Sequence, residues 1–153
     1  MNIKPALPED AARLTQLAHE SKRYWGYPEH WIERWRQDLT ISVDFIKNHK
    51  VFVAESEGAV VGFYALVAHP DKLELDHLWV DPEHIGKGVG KLLFLHAMET
   101  AHQQNYSNVG ILSDPNAEGF YRKMGAALVG EELSEIDDQK RTLPRLNFDL
   151  ESQ

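Results

Sequence analysis

The sequence predicts an α/β fold, in which a mixed β-sheet carries helices on both faces. Three observations predict it. Two apolar runs flank the turn residues Glu57-Gly58 in "KVFVAESEGAVVGFYALVAH", a hairpin signal. The alternating segment "KLELDHLWV" passes through a glycine-rich turn into a long, largely apolar run. Beyond it a short strand, a helix with start and stop signals and two more strand segments close the chain.

Taken in order, "IKPALPEDAARLTQLAHESKRYW" reads as a short strand and then a helix entered near Pro8, with Leu14, Leu17 and Ala18 on one face. "PEHWIERWRQDL" restarts at Pro28 as a second helix, with Trp31 and Trp35 one turn apart. Ser42 to Asn48 adds a further turn. The hairpin and the alternating strand follow. Gly88 to Gln104 is a helix with a wide apolar face, and "VGILS" is a strand. "DPNAEGFYRKMG" is a helix with Asp114 at the N-cap, Pro115 in the first turn and Gly125 just past its end. "AALVGEEL" and "PRLNFDL" are the last two strands. The order is β-α-α-β-β-β-α-β-α-β-β.

At 153 residues the chain is expected to form one domain over 1–153, long enough for a sizeable core. No run approaches the roughly 20 apolar residues of a membrane span. "MNIKPALPEDAARL" lacks a basic-then-apolar signal, so the expected location is cytoplasmic. The absence of cysteine removes disulfides, thiolate nucleophiles and cysteine metal sites together. A net charge of −8 argues against nucleic acid, whose binding rests on clustered Lys and Arg. No H-E-x-x-H or other compact ligand set occurs among the histidines, so no metal is expected.

The turn "HIGKGVGKLL" carries the first functional signal. A helix N-terminus leaves N–H groups unpaired and bears partial positive charge, which together make an anion site. Gly86, Gly88 and Gly90 let an anion approach those groups, and Lys87 and Lys91 add charge. Two familiar phosphate loops fail. G-x-x-x-x-G-K-[ST] and G-x-G-x-x-G, started at Gly86, both need a glycine where Lys91 stands.

The flanking residues extend the pattern. "LWVDPEHIGKGVGKLL" resembles the acyl-CoA-binding segment of the GNAT superfamily of N-acetyltransferases, in which a strand ending in L-x-V precedes Q/R-x-x-G-x-G/A. Here that pattern falls on Ile85, Gly86, Lys87, Gly88, Val89 and Gly90, with Ile85 departing from the usual Gln or Arg. "DPNAEGFYRKMGAALVGE" resembles the family's second segment, and the element order is also the family's. The resemblance implies a mostly antiparallel sheet of six to seven strands flanked by about four helices, with two central strands splayed to bind acyl-CoA. It also implies acetyl-CoA as cosubstrate, its diphosphate on the Ile85–Lys91 turn and its pantetheine amides along Leu78 and Val80.

Acetyl transfer to an amine needs a neutral nucleophile and a proton for the departing thiolate. An alkylamine is mostly protonated at pH 7, so a base is useful, directly or through water. The resemblance makes Glu74 the leading base, six residues before Val80. By strand alternation Asp76 shares its face and His77 lies on the opposite one; either is an alternative, as is a water chain. The same resemblance makes Tyr121 the general acid at the CoA sulfur and Asn116 a pantetheine contact.

The acceptor pocket implied by the resemblance lies in "SKRYWGYPEHWIERW", where Tyr24, Trp25 and Tyr27 are candidates for a cage around a cationic amine. "SEIDDQKRTLPRL" is expected to close its other side, with Arg141 or Arg145 pairing an acidic group. The expected partner is a small-molecule or peptide amine, without nucleic acid or membrane, and a homodimer is the alternative to a monomer. The rival functions are a non-catalytic acyl-CoA sensor module and an unrelated phosphate-binding enzyme.

Overall fold

The computed structural model describes residues 1–151. The strands are β1 (Asn2–Pro5), β2 (Lys50–Ser56), β3 (Ala59–His69), β4 (Lys72–Val80), β5 (Asn108–Leu112), β6 (Ala127–Ile136) and β7 (Gln139–Asp149). The helices are α1 (Ala11–Tyr24), α2 (Glu29–Arg34), α3 (Val43–Asn48), α4 (Val89–Gln103) and α5 (Glu118–Lys123). All seven strands join one sheet in the order β1-β2-β3-β4-β5-β7-β6, antiparallel except between β4 and β5. This agrees with the element order and sheet type expected from the sequence.

Each face of the sheet has its own core. Leu93, Phe94, Ala97, Met98 and Ala101 of α4 pack against Tyr64, Leu66, Leu75, Val109, Ile111 and Leu146. On the other face Leu14, Leu17 and Ala18 of α1, with Ile32, Ile41 and Ile46, pack on Val51, Val53, Phe63 and Ala65. The strand period of two sends β3 side chains alternately to these two cores. A buried aliphatic or aromatic side chain contributes about 1.5–3 kcal/mol, so the two cores hold the sheet between its helices.

The strand alternation expected through Asp76 is broken. Ala65 pairs with His77 and Leu66 with Leu75, so Asp76 is the extra residue of a β-bulge. Leu73 and Leu75 face α4, and so do Leu78 and Val80 beyond the bulge. His77 turns instead to Phe45, Phe63 and Trp79, on the face that Glu74 also occupies. One inserted residue therefore reverses the face expected for His77.

The last hairpin is longer than its sequence suggested. β6 and β7 continue past Leu133 and before Pro144 to a turn at Asp137 and Asp138, both with positive φ (48° and 62°). That is the backbone of a two-residue hairpin turn, here made by aspartates, which tolerate the left-handed region better than most residues.

Candidate active site

β4 and β5 touch at a single pair, Glu74 with Gly110, and then separate. The Asp81 N–H donates to the Val61 carbonyl at 2.8 Å, which makes Val80–Gly62 a non-hydrogen-bonded pair of the β3–β4 ladder. Leu78–Tyr64, two residues back, is another. The N–H and C=O groups of Leu78 and Val80 therefore point away from β3, into the gap toward β5. The Val80 carbonyl accepts from the Ser21 hydroxyl at 2.8 Å, so α1 has already engaged one of these groups.

At its far end this open edge meets the glycine turn. Gly86 and Gly88 both have φ of 84°, the left-handed conformation that a side chain disfavours. Gly88 caps α4, whose first internal bond runs from the Leu92 N–H to the Gly88 carbonyl at 3.1 Å. The N–H groups of Gly86, Gly88, Val89, Gly90 and Lys91 have no acceptor among the described residues. Lys87 donates only a long bond of 3.4 Å to His84. A run of unpaired donors at a helix start fits a diphosphate, and the open strand edge before it fits an amide-bearing chain. Ile85 is exposed at the lip of this turn.

Asn116 and Tyr121 lie on the turn and helix that follow β5. Tyr121, on α5, is only 7% exposed, with Phe120 and Phe94 at ring distances of 5.3 and 6.0 Å. Burial, and then the nearby Asp114 carboxylate, raise its hydroxyl well above the ordinary tyrosine range. It stays protonated at neutral pH. The Asn116 amide donates to Tyr27 Oη at 3.1 Å and to Asp114 at 3.0 Å, so its side chain is engaged with protein partners at the end of β5.

Glu74 is held in a bidentate ion pair. It is 6% exposed, and its two oxygens accept from the Arg145 guanidinium at 2.9 Å each. Arg145 also donates to Glu132 at 3.2 Å. The carboxylate lies across Gly110, where a Cβ would collide with it, and so ties β4 to β7 over the face of β5. Bidentate pairing of this kind fixes geometry. His77 is also engaged. Its Nδ1 accepts from the Trp79 indole at 3.0 Å, and burial lowers its pKa to about 4. Asp76 has its carboxyl raised by burial and approaches His69 at 3.6 Å.

The aromatic region departs from the expected cage. Tyr24 and Trp25 stack edge to face at 5.3 Å and are largely exposed, apart from Tyr27. Tyr27 packs with Trp31 and Trp35, and this box already holds a cation. Lys22 Nζ lies 4.9 Å from the Tyr27 ring centroid and 4.3 Å from that of Trp35. It also forms a 2.6 Å pair with Asp114. Tyr27 Oη donates to Asp114 at 3.0 Å and accepts from Arg141 at 2.9 Å. Burial, followed by the Asp114 charge, pushes the Tyr27 hydroxyl up to about 12.

Burial pushes the Asp114 carboxyl up too, but Lys22 and its hydrogen bonds outweigh it and hold it below the ordinary range. For Lys22 burial wins over the pull of Asp114, and its ammonium is lowered. The sequence marked Asp114 only as a helix cap and did not mark Lys22. Neither residue carries a motif, and 92 positions separate them.

A family model described as an acetyltransferase (GNAT) domain matches residues 47–125, the stretch from α3 through the glycine turn to the end of α5. A relative in Salmonella typhimurium, named as a peptidyl-lysine N-acetyltransferase (YjaB), is 34% identical, with 78% of this chain and 89% of the relative covered. A 5-NmdU N-acetyltransferase of Pseudomonas phage PaMx11 is 30% identical, covering 86% and 90%. Among solved structures, the PaiA N-acetyltransferase of Thermoplasma acidophilum, in complex with coenzyme A, superposes with a TM-score of 0.75. It shares 21% identity and covers 97% of this chain and 98% of its own, a likeness of fold.

Proposed function

This chain belongs to the GNAT superfamily of acetyltransferases and is an acetyl-CoA-dependent N-acetyltransferase, and we propose that its acceptor is a primary amine of a small molecule or peptide, acetylated by direct attack with both substrates bound. One observation carries the reading. The open edge of β4 at Leu78 and Val80 leads to the glycine turn, where five N–H groups have no acceptor among the described residues. Those two features suit the amide arm and the diphosphate of one ligand. Acetyl-CoA supplies the activated acetyl group as a thioester.

The chain's own groups then divide the remaining work. Gly86, Gly88, Val89, Gly90 and Lys91 hold the diphosphate through backbone N–H groups, with the ammonium groups of Lys87 and Lys91 nearby. The N–H groups of Leu78 and Val80 orient the arm. Tyr121 holds a proton for the sulfur as the thiol leaves. The proton released by the amine passes to water. Both Glu74 oxygens are engaged, and the His77 Nδ1 is already an acceptor. Glu74 is assigned instead as a strut that sets the separation of β4 from the strands beyond it.

The test is calorimetric titration with CoA beside titration with pantetheine, followed by an amine panel scored by release of the CoA thiol. CoA should bind more tightly than pantetheine, because only CoA carries the diphosphate. Equal affinities would remove the glycine turn from the site. Absence of thiol release with every amine, despite CoA binding, would remove the transferase reading.

A further inference from the structure

The cluster around Asp114 contains more positive charge than it can neutralise internally. Lys22 and Arg141 both face this one carboxylate, at 2.6 and 3.9 Å. Asp114 also accepts from Tyr27 Oη and from the N–H and amide of Asn116, so its oxygens are crowded. The other arginines nearby are matched. Arg145 is shared by Glu74 and Glu132, and Arg34 pairs with Asp137 at 2.8 Å.

Arg141 is held but under-used. Its Cζ lies 5.1 Å from the ring centroids of both Tyr27 and Trp35, and its side chain is 14% exposed. A guanidinium offers five N–H donors. Among the described residues only one hydrogen bond is made, from Nη2 to Tyr27 Oη. The sealed and unpaired side-chain nitrogens among the described residues belong to His19 and His84, so the spare donors of Arg141 reach solvent. A largely buried cation without its full counter-charge is costly unless something pairs with it. A planar fork with free donors suits a carboxylate or a phosphate.

We infer that Arg141, backed by Lys22, forms a subsite for an anionic group, a carboxylate or a phosphate, carried by the acceptor amine. The inference deepens the N-acetyltransferase reading above and rests on it. Asp114 contacts Lys22, Tyr27 and Asn116 and caps the turn that leads directly into α5 and Tyr121, so the subsite adjoins the segment of the proposed proton donor. The anionic group therefore belongs close to the reacting amine, as in an amino acid or an aminoalkyl phosphate. Lys22 fills the aromatic box, so a second cation is not what this corner takes.

The experiment compares matched acceptors by CoA-thiol release. Amino acids are set against their carboxamides, and phosphoethanolamine against ethanolamine. The wild type should favour the anionic member of at least one pair by about ten- to a hundredfold in kcat/KM, the range of a charge-assisted contact. The pair that shows it identifies carboxylate or phosphate as the group. Arg141→Met, which keeps the stem against the rings, should reduce that ratio to near one, and Arg141→Lys should restore part of it. Thermal unfolding of each variant checks the fold, and the wild-type ratios decide the matter even if a variant is unstable. Equal or better turnover of the neutral members would overturn the inference, as would an unchanged ratio in folded Arg141→Met. Turnover confined to amines outside these pairs would overturn it while leaving the transferase reading intact. No thiol release with any amine would overturn both.

Discussion

Glu74→Gln separates a strut from a base, because the two roles predict opposite observables. In the native protein each Glu74 oxygen accepts an Arg145 N–H at 2.9 Å, with the Glu74 side chain 8% and the Arg145 side chain 21% exposed. Glutamine keeps one acceptor oxygen but turns an NH₂ group toward a guanidinium that also only donates. The change removes one charge-assisted hydrogen bond, worth about 1.5–3 kcal/mol, and the charge pairing with it. Arg145 retains Glu132 at 3.2 Å, but that partner is half-exposed and compensates weakly. The expected loss is roughly 2–4 kcal/mol, below the ~3–5 kcal/mol of stranding a buried charge completely. For a chain of this size about 2–4 °C accompanies each kcal/mol, so Tm should fall by roughly 4–16 °C. Differential scanning calorimetry measures it, with thiol-release rates recorded from pH 6 to 9 on the same preparations. Turnover per folded molecule should change little and the pH–rate profile should keep its shape. Gly110→Ala attacks the same strut without touching its charge. Its Cβ would land on Glu74 Oε2, 3.2 Å from Arg145 Nη1, and a comparable loss of stability is expected. A Glu74→Gln protein with wild-type Tm, slow at neutral pH and recovering as pH rises, would refute the strut and make Glu74 the base.

Tyr121→Phe keeps the ring among Phe94 and Phe120 and removes only the hydroxyl. CoA affinity by calorimetry should hold while kcat falls at least about tenfold, toward the range of a lost general acid; wild-type kcat would return this tyrosine to the core. Gly88→Ala forces a side chain onto φ of 84° at a cost of about 1–2 kcal/mol. It should weaken CoA binding but not pantetheine binding, and equal weakening of both would show general damage rather than a local anion site. His77, with a folded pKa of about 4 against an unfolded value near 6.5, binds its proton more readily in the unfolded chain. Its contribution is therefore present above pH 6.5 and is lost as pH falls toward 4, amounting to at most about 3 kcal/mol. Urea midpoints across pH 7 to 4 should fall less steeply in His77→Asn, which can still accept from the Trp79 indole; parallel curves would discount His77.

What the amino-acid order settled without help were features whose cause is local. The Glu57-Gly58 hairpin, with φ of 52° and 81° at its two turn residues, follows from turn chemistry between two apolar runs. The start of α4 at Val89 follows from glycines that need left-handed backbone immediately before an apolar helical period. The run of N–H groups without an acceptor at that turn is equally local, since they belong to neighbouring residues of one segment. The C-terminal hairpin was only half legible, because Asp137 and Asp138 occupy a turn more often signalled by asparagine and glycine.

Only the folded chain decided what the side chains of the site touch. Glu74 reads as a solitary strand carboxylate until β7 brings Arg145 against it, 71 positions away. Tyr27 reads as a wall for a bound cation until Lys22 from α1 and Arg141 from β7 converge on its ring. His77 reads as facing away from Glu74 until one extra residue at Asp76 rotates the strand beneath it. Each of these depends on which distant segments share a face of the sheet. Periodicity reports how a segment orients its own side chains, but a single bulge resets that orientation. The partners that pair a carboxylate, fill a ring of aromatics or leave a donor unused arrive from strands and helices that periodicity does not connect.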